Sequence, residues 1–357
     1  MNRLQKSSLT RRTFVRRLAL AGAGSVLAAP FIHGARAASP TRPLTGAGEH
    51  VYECWHDWLQ PPEGLLWGDT QGLTQDSQGF IYVAHTVNGT SPRGEAIVVF
   101  DATGKFVRAF GEEFRGGAHG LRVRREPDGE FLYLCDTVRG EFLKLTLAGE
   151  IVWRKGYPHE APSYAAETLK FVPTNIAFAP DGGFYVGDGY GSSRLLHYSH
   201  DGDFIREIGT KGSHDGEFLT PHGQWVDTRG PEPRLVVADR GNHRLQIFTL
   251  DGRHLRTVTD ETRLRRPCYF HQRDDLLICP DLDSQVCLLD RDYRVVAQLG
   301  DGHAENGPIG SRRKDARETF TPGKFITPHD AIFLADGNIL VAEWITIGRL
   351  TLLKRLS

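Results

Sequence analysis

The chain has 357 residues, 39 % of them hydrophobic, with 40 glycines and 19 prolines, a mixture that suits short strands and many turns and excludes an architecture of long helices. Its formal net charge of −1 is unevenly spread. Residues 1–37 hold seven basic side chains and no acid, so the remainder carries −8, which excludes the broad basic face that nucleic acid requires.

Taken in order, the chain opens on an export signal. Thr10-Arg11-Arg12-Thr13-Phe14-Val15 resembles the twin-arginine signature. A mildly apolar run over 18–32 follows, and Ala35-Arg36-Ala37 gives a small-x-small cleavage site. The apolar run is short for a bilayer span, so no stable membrane insertion is expected once the signal is removed. The expected location is periplasmic or secreted, with the twin-arginine export machinery as a partner.

Beyond residue 38 one unit recurs six times, near 68–111, 117–156, 171–209, 218–258, 264–301 and 325–354. In the third copy, 175–179 reads as a strand and Pro180-Asp181-Gly182-Gly183 as a turn. A second strand over 184–187 ends in Asp188. A third over 194–198 leads through His200-Asp201-Gly202 to a fourth over 204–208. Asp-Gly between alternating apolar runs is a strong hairpin signal. Four antiparallel strands every 40–50 residues, roughly, is the signature of a propeller blade. The chain is therefore read as all-β, a single six-bladed β-propeller over 38–357. Residues 51–58 are expected to pack beside the short last copy and close the ring. Residues 157–170 and 302–324 read as loops between blades, the second polar and mobile.

An acid ends most second strands: Asp136, Asp188, Asp239, Asp281 and Glu343. Asp239-Arg240-Gly241-Asn242-His243-Arg244-Leu245 matches the repeat pattern of the NHL propellers, in which the acid and the later Arg tie the second strand to the third. Those acids, with Arg194 and Arg244, are read as structural. The five cysteines (54, 135, 268, 279, 287) form no zinc-finger spacing. Cys279 has two candidate partners across neighbouring turns, Cys268 and Cys287, and at least three of the five are expected to be unpaired.

Thr220-Pro221-His222-Gly223 returns as Thr327-Pro328-His329-Asp330, and Gly117-Ala118-His119-Gly120 is a looser copy. The histidines lie 103 and 107 residues apart, each opening the innermost strand of its blade. Aligning the six blades places Gln71, His119, Thr174, His222, Cys268 and His329 at equivalent positions, so the histidines occupy blades two, four and six. Three imidazoles from alternate blades of a six-fold ring form a three-coordinate pocket with an open side, which suits a catalytic metal, zinc first. Loops after the strand-end acids overlook the same face and present Tyr190, whose phenol suits proton transfer, and Arg240, whose fork suits a carboxylate.

At these residues the chain resembles a known family. Pro173-Thr174-Asn175, Asp188-Gly189-Tyr190-Gly191-Ser192-Ser193-Arg194, Pro221-His222 and Ala238-Asp239-Arg240 are similar to the peptidyl-α-hydroxyglycine α-amidating lyases, and the likeness covers blades two to six. The resemblance implies zinc on His119, His222 and His329, a catalytic role for Tyr190 and an active-site role for Arg240. It also implies that Asp330 lies near a structural calcium. It implies a lyase that cleaves the C–N bond of an α-hydroxyglycine-type small molecule or peptide, giving an amide and glyoxylate. Two features depart from the family: no Arg follows the second strand of blade one, and Gly191 stands where a disulfide Cys is expected. Two other functions fit a six-bladed propeller: a non-catalytic module that binds a protein or glycan on its disc face, and a metal-dependent lactone hydrolase. A monomer is expected.

Overall fold

The computed structural model describes residues 42–259 and 264–356. The export signal read over 1–37 lies outside the described residues. No helix among the described residues is long and apolar enough to cross a membrane.

Six antiparallel sheets are arranged as the blades of a propeller, with almost no helix. Blade one comprises Thr70–Gln75, Ile81–His85, Ile97–Phe100 and Phe106–Phe110. Blades two to five repeat that order, their first strands being Ala118–Glu126, Asn175–Phe178, Pro221–Asp227 and His271–Arg273. The sixth sheet joins both ends of the chain. Its strands Pro328–Phe333, Ile339–Glu343 and Leu350–Arg355 continue into His50–Trp55 and then Leu44–Ala47. Tyr52 faces Arg355 and Trp55 faces Leu352 in that pairing, so the ring is latched by antiparallel hydrogen bonds between distant segments. The fifth strand of this sheet has no counterpart in the other blades.

The core lies between blades. Leu73, Val83 and Val98 of blade one pack in one cluster with Leu132 and Leu143 of blade two and with Ile332 and Leu340 of blade six. Further clusters join blades two and three, three and four, four and five, and five and six. A four-stranded sheet has two apolar faces and cannot bury both alone; a ring supplies each face with a neighbour.

The strand-end acids are fully buried and hold the loops beside them. Asp239 accepts from Leu219 N–H at 2.7 Å, Arg244 Nε at 2.7 Å, Asn242 Nδ2 at 2.8 Å and Gln246 Nε2 at 3.0 Å. Glu343 makes the equivalent pair with Arg349. Blade three departs from the expected pairing. Asp188 accepts from Tyr164 Oη and Ser192 N–H, both at 2.7 Å, whereas Arg194 turns to Gly209 O and Glu207. Replacing Asp239 by Ala is expected to destabilise the fold by about 3–5 kcal/mol, because Arg244 is left as a buried unpaired cation. Urea unfolding measures this directly, and a loss below about 1 kcal/mol would contradict the structural role.

The 302–324 segment differs from the mobile loop expected. Arg312 bonds Asp315 and Thr319, Arg317 pairs with Asp57 and caps Ile347 O and Gly348 O, and Asn306 Nδ2 donates to Phe325 O. Polar side chains replace the apolar periodicity by which an ordered segment is normally recognised. All five cysteines are free and buried, with Cys279 and Cys287 facing each other across a strand pair.

Candidate metal centre

His119, His222 and His329 come together at the axis. Their ligand atoms lie within 4.8 Å of one another, the single such cluster of three or more ligating residues among those described. Ring centroids are 5.1 Å apart for His119 and His222, 4.9 Å for His119 and His329, and 4.8 Å for His222 and His329.

Backbone irregularity aims them. In each of these blades the register between first and second strands skips at the histidine: between Ala118 and Leu121, between Pro221 and Gly223, and between Pro328 and Asp330. A β-bulge of this kind frees one residue from the ladder and re-aims its side chain. Blade one carries the same skip around Gln71. Glycine then admits the neighbouring blade. A Cβ on Gly120 would stand 2.4 Å from Thr174 O, and one on Gly223 would stand 2.1 Å from Cys268 O.

That close approach fixes the tautomers. His119 Nδ1 lies 2.8 Å from Thr174 O, His222 Nδ1 3.3 Å from Cys268 O, and His329 Nδ1 2.8 Å from Gln71 O. Each histidine thus reaches the carbonyl at the equivalent position of the next blade. A carbonyl only accepts, so Nδ1 carries the proton and Nε2 keeps its lone pair. Tyr269 Oη reinforces the first of these contacts, lying 2.7 Å from His119 Nδ1 and 2.8 Å from Thr174 O.

The three rings are 0–2 % exposed. Burial drives their pKa values down, that of His119 to about 3, and the Arg240 charge adds to the effect on all three. Neutral imidazoles with inward lone pairs are the form a metal binds. His329 Nε2 is buried with no hydrogen-bond partner among the described residues. A stranded lone pair of this kind is costly unless something fills the pocket. The donor set therefore fits a transition metal held by three nitrogens with one position open.

Tyr190 and Arg240 stand at the open side. Tyr190 Oη is 2.9 Å from His222 Nε2 and 3.3 Å from His119 Nε2. The residue is 41 % exposed overall, yet its hydroxyl sits against buried rings, and it is the depth of that hydroxyl that governs its acidity. Burial raises the phenol pKa, and Arg240 opposes the rise. The Arg240 guanidinium lies 5.2 Å above the Tyr190 ring, and its Nη1 reaches Cys268 Sγ at 3.8 Å.

One other charged group differs from expectation. Asp330 was expected beside a structural calcium; its carboxylate instead receives Arg122 Nη1 at 2.7 Å, Leu73 N–H at 2.8 Å and Ala331 N–H at 2.9 Å. A guanidinium occupies the space a cation would need, so the residues present do not fit a calcium ion, and Asp330 is corrected from metal ligand to ion-pair partner. Arg93, after the second strand of blade one, pairs with Glu95. Arg313 brings a cation towards Tyr190 from the 302–324 segment. It stacks 3.2 Å above the Trp344 ring and bonds Asp69 at 2.7 Å, and its charge also opposes the rise in the Tyr190 pKa. Sequence reasoning missed Arg313 because it lies in no repeat; the only signal was the basic run Arg312-Arg313-Lys314 in a polar loop.

No protein-family model matches the chain. It is 29 % identical over 318 residues to peptidyl-glycine alpha-amidating monooxygenase A of Xenopus laevis, a match covering 80 % of this chain and 32 % of that protein. It is 26 % identical over 324 residues to peptidyl-alpha-hydroxyglycine alpha-amidating lyase 1 of Drosophila melanogaster, covering 79 % of this chain and 56 % of that one. It is also 28 % identical to human NHL repeat-containing protein 3, covering 65 % of this chain and 68 % of the relative. The chain thus spans about a third of the monooxygenase and about half of the lyase it matches. A solved streptogramin B lyase superposes with a TM-score of 0.54 at 13 % identity, covering 86 % of this chain and 98 % of that one, which is a likeness of fold. The chain is a six-bladed β-propeller similar to NHL repeat-containing protein 3 and to the peptidyl-α-hydroxyglycine α-amidating lyases.

Proposed function

We propose that this NHL-type propeller is an exported, zinc-dependent carbon–nitrogen lyase acting on an α-hydroxyglycine-type amide, with an amide and glyoxylate as products. The observation that carries the reading is the convergence of three neutral imidazoles with a phenol and a guanidinium over their open side. Similarity to proteins named as amidating lyases and monooxygenases supports it. Export rests on the N-terminal sequence alone.

A zinc ion in the pocket would supply Lewis acidity, making the substrate hydroxyl easier to deprotonate. His119, His222 and His329 hold that position, and their Nδ1 bonds to the next blade keep the rings from turning. Arg240 binds the substrate carboxylate through its planar fork and so orients the carbinol carbon. Tyr190 relays the proton. The hydroxyl loses one proton, its oxygen–carbon bond becomes the aldehyde of glyoxylate, the C–N bond breaks, and the departing nitrogen gains one proton. The raised phenol pKa keeps a proton on Tyr190 Oη at rest, ready for the nitrogen.

Glyoxylate release from a panel of acylated α-hydroxyglycines and ureidoglycolate tests the reading. Turnover of at least one member is expected, with Arg240→Ala raising KM about 10–100-fold and leaving the metal in place. Silence across the panel from metal-loaded protein would move it to a non-catalytic binding propeller.

A further inference from the structure

Below the histidines the axis holds a second cluster, made of oxygens. Leu73 O, Leu121 O and Asp330 Oδ2 lie 3.1, 2.9 and 2.7 Å from one atom, Nη1 of Arg122. Asp330 Oδ1 reaches Nη2 of the same group at 3.3 Å. Arg122 is 4 % exposed and Asp330 is fully buried.

The arrangement is not shaped for a guanidinium. Nη1 carries two hydrogens, yet three oxygens converge on it. Nε of the same side chain has no partner among the described residues. A group that has one nitrogen oversupplied and another stranded sits in a cage of different symmetry from its own. Two backbone carbonyls and a carboxylate around one point are the ligands a hard spherical cation takes. The distances exceed calcium–oxygen bonds of about 2.3–2.6 Å by only a few tenths of an ångström. The Tyr269 ring, 4.9 Å from Cζ, packs beside the guanidinium.

We propose that these oxygens form a cation cage whose resident cation is the Arg122 guanidinium, so that the chain needs no divalent ion there, and that removing Arg122 turns the cage into a calcium site. Arg122 also lines a cavity of about 350 Å³ with Thr74, Ile176, Trp225 and His271. The cage is separate from the histidine pocket, whose ligands are nitrogens, and does not depend on the reading of that pocket.

The test is calorimetric melting of the wild type, Arg122→Met and Arg122→Lys, each with about 10 mM calcium chloride or sodium chloride of equal ionic strength. The wild type is expected to melt at one temperature in both salts and to hold no calcium after dialysis. Arg122→Met, which leaves Asp330 buried and uncompensated, is expected to melt lower and to recover about 3–8 °C in calcium only. Arg122→Lys places an ammonium in the cage and is expected to ignore calcium. Stoichiometric calcium in the wild type, or an Arg122→Met protein that does not respond to calcium, folded or not, would overturn the proposal.

Discussion

Replacing His222 by Ala is expected to remove the bound metal and to lower kcat/KM by about a thousandfold or more, the several kcal/mol that Lewis-acid stabilisation contributes. The substitution acts on more than the metal. It leaves two nitrogens to hold the ion and removes the hydrogen-bond partner, at 2.9 Å, of the Tyr190 hydroxyl. The blades have little reason to fall apart, since the clusters between blades three, four and five draw on Val237, Leu245 and Phe270 rather than on the axis. Circular dichroism should therefore stay as in the wild type while elemental analysis reads close to zero. Retention of a full equivalent of metal in His222→Ala would remove this histidine from the centre.

Tyr190→Phe separates proton transfer from metal binding. It keeps the ring beneath Arg240 and deletes one oxygen, so the metal content is expected to match the wild type. The expected loss is about 10²–10⁴ in kcat, the range for a positioned proton carrier, with KM nearly unchanged. The pH–rate profile gives a readout that a merely structural role would not move. A limb assigned to the phenol should vanish in the variant, because the other groups around it are a guanidinium, imidazoles held neutral by burial and the Cys268 thiol, which burial pushes up to about 11. An unchanged kcat would assign the proton to another group and leave Tyr190 as a wall of the pocket.

Most of the architecture was readable in the chain because a propeller writes its period into the sequence. Asp-Gly turns, alternating strands and a strand-end acid recur at fixed phase, and phase alone places His119, His222 and His329 on the innermost strands of alternate blades. Tyr190 and Arg240 were readable for the same reason, each directly or closely following a strand-end acid. What escaped has no phase. Leu44–Ala47 is a four-residue edge strand whose pairing is decided by the neighbouring strand, not by its own pattern. Arg313 reaches the site from an insertion. Arg122 and Asp330 are 208 residues apart, and no local pattern pairs them before the ring brings them into contact. The Nδ1–carbonyl bonds that set the tautomers involve backbone atoms, which sequence does not distinguish. The bulges at the histidines are likewise a matter of register, although the glycines after His119 and His222 were a visible trace of them.

The central claim is that three imidazoles hold one metal ion. Elemental analysis of the wild-type protein, prepared without a histidine tag and dialysed exhaustively against metal-free buffer, tests it most directly. The account predicts about one zinc per chain, lost on prolonged chelation and regained stoichiometrically from zinc salt. Protein that is folded, contains no transition metal and takes none up would contradict it.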